Sequence, residues 1–68
     1  MTEVGDYVIP KGGVLRGELC KVISKYYGNG SYLFNCYIVM SLISKASFEY
    51  YRKEFTQINK DKVMVEVL

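Results

Sequence analysis

Apolar and polar positions alternate in short runs, and glycine or serine clusters break those runs apart. That period belongs to strands rather than helices. Gly5-Asp6 makes a turn, Tyr7-Val8-Ile9 is a β-prone triplet, and Pro10 ends it. Lys11-Gly12-Gly13 follows as a loop. A second run extends from Glu18 to Tyr27. A simple alternation puts Cys20, Val22, Ser24 and Tyr26 on one face, with Leu19, Lys21, Ile23, Lys25 and Tyr27 on the other. Gly28-Asn29-Gly30-Ser31 supplies the positive-φ positions of a tight hairpin. The returning strand runs from Tyr32 to about Met40. Its alternation groups Tyr32, Phe34, Cys36 and Ile38 against Leu33, Asn35, Tyr37 and Val39. A helix from Leu33 to Ser44 is the alternative. The β-branched pair Ile38-Val39, the aromatics and the preceding turn favour the strand.

Serines punctuate a loop from Ser41 to Ser47. Phe48-Glu49-Tyr50-Tyr51-Arg52-Lys53 then alternates again, with Phe48, Tyr50 and, at the strand end, Arg52 facing one way and Glu49, Tyr51 and Lys53 the other. Lys53 to Ile58 suits one helical or 3₁₀ turn, with Phe55 and Ile58 three apart on one side. Asn59-Lys60-Asp61-Lys62 reads as a polar turn, and Val63 to Val67 as a closing strand. The expectation is an all-β chain forming one domain over residues 1–68. Five short strands in so small a chain must curl to cover their own apolar face.

This order resembles that of the SH3-like barrels, the group that includes Tudor, KOW and chromo-barrel modules. Gly5-Asp6-Tyr7-Val8 looks like their opening strand and Gly17-Glu18-Leu19-Cys20-Lys21-Val22-Ile23 like the second. Tyr32-Leu33-Phe34 is similar to the third, and Arg52-Lys53-Glu54-Phe55-Thr56-Gln57-Ile58 to the end of the fourth and the helical turn. The resemblance implies a small five-stranded SH3-like barrel with one helical turn before the last strand. It implies no single function, because the fold hosts many.

Composition narrows the chemistry. A chain of 68 residues buries only about 60% of its extended surface, so a partner or a cross-link would help it. Cys20 and Cys36 could form at most one bridge. With no secretory signal visible, they read as reduced core thiols of a cytoplasmic protein. The apolar run from Leu33 to Ile43 is shorter than the ~20 residues that span a bilayer, and Asn35 interrupts it. No membrane role is expected. The chain has no histidine, two isolated thiols and no spaced carboxylate pair, so neither catalysis, a metal site nor a cofactor is expected.

Binding is the function class that remains. The exposed face of the hairpin is expected to carry Lys21, Lys25, Tyr27, Asn35 and Tyr37, joined by Tyr51 and Lys53 from the next strand. Lysines interleaved with tyrosines suit a protein interface. They also suit stacking on nucleic-acid bases, and equally the plain solubilising of an exposed sheet. Net charge is +2, which argues only mildly for nucleic acid. Arg52 is a candidate anion contact, with a strand-end salt bridge to Glu54 or Glu49 as the stronger expectation. Tyr7, Tyr26, Tyr32 and Tyr50 are expected in the core. Leu19, Ile23, Leu33 and Val39 would leave an apolar outward patch that a second copy or another protein would cover, unless the register slips by one and buries it. The sequence thus points to a non-catalytic module that binds a protein, with self-association included. A viral or mobile-element accessory factor that blocks a host protein would suit so short a chain. A nucleic-acid-binding barrel using the Lys/Tyr face is the alternative. An enzyme whose site forms only at an oligomer axis is a third class.

Overall fold

The computed structural model describes residues 2–30 and 32–58. Five antiparallel strands run in chain order: β1 Tyr7–Pro10, β2 Cys20–Tyr27, β3 Phe34–Ser41, β4 Ser47–Tyr51 and β5 Phe55–Ile58. A single 3₁₀ turn, η1 Arg52–Glu54, separates β4 from β5. The domain is all-β, and the segment 33–44 contributes a strand rather than a helix. The fifth strand is Phe55–Ile58, where a helical turn was expected. Its three-apart spacing suggested a turn of helix, but all four residues pair with β1, from Tyr7 opposite Ile58 to Pro10 opposite Phe55. The strand expected over Val63–Val67 and the polar turn before it lie outside the described residues.

The strands lie in the order β4-β3-β2-β1-β5. Laid flat, five strands would set the outer two ~19 Å apart. Tyr51 and Phe55 end those two strands and lie four residues apart, a reach of at most ~14 Å even when extended. The short link therefore bends the sheet round on itself. The N-terminal segment is tied to β5: Thr2 Oγ1 donates to Gln57 Oε1 (2.6 Å), and Gln57 Nε2 donates to Asp6 Oδ2 (2.8 Å).

Inside the curl, Val8, Leu15, Cys20, Val22, Tyr37, Val39, Tyr50 and Phe55 form the core. Tyr37 meets Phe55 edge to face, with ring centroids 5.4 Å apart. The Tyr50 hydroxyl donates to Gly12 O and accepts from Leu15 N, so one buried phenol holds the loop between β1 and β2 in place. Ser41 organises the turn after β3. Its Oγ donates to Glu18 Oε1 (2.6 Å) and accepts from the amides of Ile43 and Ser44.

Two β-bulges change which side chains face inward. One is at Ile23, between Val22 opposite Val39 and Ser24 opposite Ile38. The other is at Asn35, between Tyr26 opposite Cys36 and Tyr27 opposite Phe34. Each inserts one residue and reverses the faces beyond it. Tyr37 and Val39 were expected on the outer face but are core residues, at 2% and 0% exposure. Tyr26 was expected in the core but is partly exposed, and Tyr32, also expected there, precedes β3 and is 95% exposed. The expected apolar patch keeps Ile23 and Leu33 outside and loses Val39.

Candidate functional site

Cross-strand partners share a face, so Tyr26, Cys36 and Tyr51 form one row across the outside of β2, β3 and β4. Cys36 is buried there between two part-exposed tyrosines. Below this row, where β4 passes into η1, the chain forms an open cavity of about 460 Å³ lined by Asn35, Tyr51, Arg52 and Lys53.

Each wall has a local cause. Asn35 occupies the β3 bulge, and its amide rests against Gly28 in the facing hairpin. A Cβ at Gly28 would fall 2.8 Å from Asn35 Cγ and closer still to Oδ1. That oxygen is buried without a hydrogen-bond partner. Tyr51 ends β4 half-exposed, and its amide donates to Glu54 Oε1 (2.8 Å), which caps the 3₁₀ turn. Arg52 lays its guanidinium against the Phe55 ring, 5.1 Å from the centroid, and donates from Nη1 to Phe55 O (3.2 Å). Lys53 is exposed. The expected salt bridge from Arg52 to Glu54 or Glu49 is absent among the described residues: the guanidinium lies instead on Phe55 O and the Phe55 ring.

The seven residues expected to form a binding face are dispersed over the molecule. Asn35, Tyr51 and Lys53 are brought together, and Arg52 joins them. Lys25 and Tyr27 sit at the hairpin end of β2. There Lys25 Nζ contacts Glu3 Oε1 (2.5 Å) and lies 4.7 Å from the Phe34 ring centroid, while Tyr27 stacks on Phe34 at 4.4 Å. Lys21 lies at the far end of β2, opposite Met40 and over the Tyr7 ring. Tyr37 belongs to the core, and its hydroxyl donates to Phe34 O. Arg52, weighed on its own as an anion contact, was not grouped with that face. Its signal was the Arg-Lys pair directly after Tyr50-Tyr51 at a strand end.

The two thiols cannot join within one chain. Cys20 lies opposite Ser41, five residues along β3 from Cys36, a separation of ~16 Å against the ~7 Å limit for a bridge. Burial, reinforced by repulsion from Glu18, pushes the Cys20 thiol up to about 11, so it is a poor nucleophile near neutrality. No helix among the described residues is long and apolar enough to cross a membrane. No family model, curated protein or solved structure matches this chain.

Proposed function

We propose that this chain is a non-catalytic SH3-like barrel that works by binding another protein. The strand order β4-β3-β2-β1-β5, with one 3₁₀ turn between β4 and β5, supports the barrel reading. The observation that carries the function is the β2–β3 hairpin. Tyr27, Tyr32, Leu33 and Phe34 all stand exposed on it, at 55%, 95%, 70% and 39%. Four large apolar side chains crowded onto one turn are a poor surface for an isolated domain and a good one for an interface. Tyrosine suits that role because its ring buries much area while its hydroxyl stays wet. The absence of histidine from the sequence and the raised pKa of the Cys20 thiol support a role without chemistry. The partner is a second copy or another protein, met in the cytoplasm. A viral or mobile-element accessory factor acting on a host protein fits this reading.

The double variant Tyr27→Ala with Leu33→Ala tests it. The substitutions should leave the fold intact and abolish either concentration-dependent sedimentation or capture of a partner from the native host. Unchanged association in that variant would sink the hairpin as the interface. A second reading, a single-stranded nucleic-acid module, draws on Tyr51 beside Arg52 and Lys53. Its signature is oligonucleotide binding that weakens steeply with salt.

A further inference from the structure

The cavity at the β4–η1 corner is lined by none of the four hairpin side chains and carries concentrated positive charge. Arg52 and Lys53 are consecutive cations, and neither has a carboxylate partner among the described residues. The nearest acid in sequence, Glu54, uses its carboxylate on the Tyr51 amide, and no carboxylate lines the cavity. The Arg52 guanidinium is also fixed in advance. One nitrogen is held by Phe55 O and the plane by the Phe55 ring, which leaves its other N–H donors for a ligand. Such a group loses little freedom when an anion arrives. Tyr51 adds a half-exposed aromatic wall beside the two charges.

We propose that this cavity takes the carboxylate of an aspartate or glutamate in an extended segment of the partner protein, with an adjacent apolar side chain against Tyr51. The inference rests on the protein-binding reading above. An isolated carboxylate fits better than a phosphate backbone. Glu49 and Glu54 are both exposed on the β4–η1 segment that carries Arg52 and Lys53, and the whole chain carries only +2. A strand with a phosphate at every residue would have to cross those acids, whereas a peptide with one acid would not.

The test selects dodecamers from a random displayed peptide library on the intact domain. The selected peptides are then resynthesised with each acid present or replaced by its amide. The expected result is enrichment of Asp or Glu next to apolar residues. The amide twin should bind about tenfold more weakly, in line with loss of a charge-assisted contact. Amide chemical shifts should move at Asn35 and residues 51–53. Lys53→Gln, at an exposed side chain with no hydrogen bond or ion pair among the described residues, should weaken the acidic peptide about three- to fivefold. Arg52→Gln should weaken it further wherever that variant keeps its dispersed spectrum. Selection without acid enrichment, a twin that binds equally, or no selected peptide at all overturns the proposal. So does a uridine octamer that binds more tightly and moves the same amides. Peptides that bind the hairpin regardless of their charge would leave the protein-binding reading standing while this inference falls. A domain that selects no peptide, sediments as a monomer and captures no partner would end both.

Discussion

The tyrosines separate by what surrounds each ring. Tyr37 is packed against Phe55 with its hydroxyl on Phe34 O, whereas Tyr51 is half-exposed on the outer face. Tyr37→Ala should therefore cost about 3–5 kcal/mol, enough to unfold most of a domain this small. Tyr51→Ala should shift stability by no more than ~0.5 kcal/mol. Urea unfolding of the two variants checks the contrast, and comparable losses would contradict it. Cys20 carries a pH signature. Its folded value is raised from 9.0 to about 11, so the native state keeps a proton that the unfolded chain gives up. That contribution is complete below pH 9.0 and is lost as pH climbs toward about 11. The stability difference between the wild type and Cys20→Ala should shrink across that window. A difference that stays constant would show that the thiol does not sense burial.

Among the elements, the hairpin sets the limit on what could be read from the chain. Its existence was plain from Gly28-Asn29-Gly30, and both flanking runs are strands. The facing of its side chains was not. The Ile23 and Asn35 bulges each add one residue, and no local pattern announces them, because both flanking sequences remain apolar and β-prone. A strict two-residue period therefore turned Tyr37 and Val39 outward and Tyr26 inward, while Tyr32 precedes the strand altogether. Phe55–Ile58 was misread for a different reason: strand identity there comes from pairing with β1, a contact some fifty residues away in sequence. Of the candidate site, the residue types were legible, but their grouping was not. Only the bulge and the 3₁₀ turn bring Asn35 beside Tyr51 and Lys53. Gly28→Ala probes the bulge directly. The added methyl meets the Asn35 amide, so the variant should lose ~1–3 kcal/mol, the range for overpacking. Amide shifts should move on both sides of the cavity. A neutral variant would mean that the amide yields freely.

At the scale of the molecule, one core among the described residues serves all five strands. Val8, Val22, Val39, Tyr50 and Phe55 come from all five and meet in one cluster. No strand buries enough on its own to persist without the others. Unfolding in urea should therefore be one transition, superimposable by tyrosine fluorescence and by backbone circular dichroism. Two separated transitions would show that the N-terminal tie through Thr2, Asp6 and Gln57 marks an independently stable part.

The turn Arg52–Glu54 is the clasp of the molecule, since among the described residues it carries the chain from one end of the sheet, β4, to the other, β5. It also carries Arg52 and Lys53, which have no carboxylate partner among the described residues. Whatever anion grips Arg52 and Lys53 grips the clasp, and fastening the clasp in turn sharpens the grip. Occupancy and closure are thermodynamically reciprocal. The melting temperature of the domain should thus report its occupant, rising with ligand concentration as a bound native state demands.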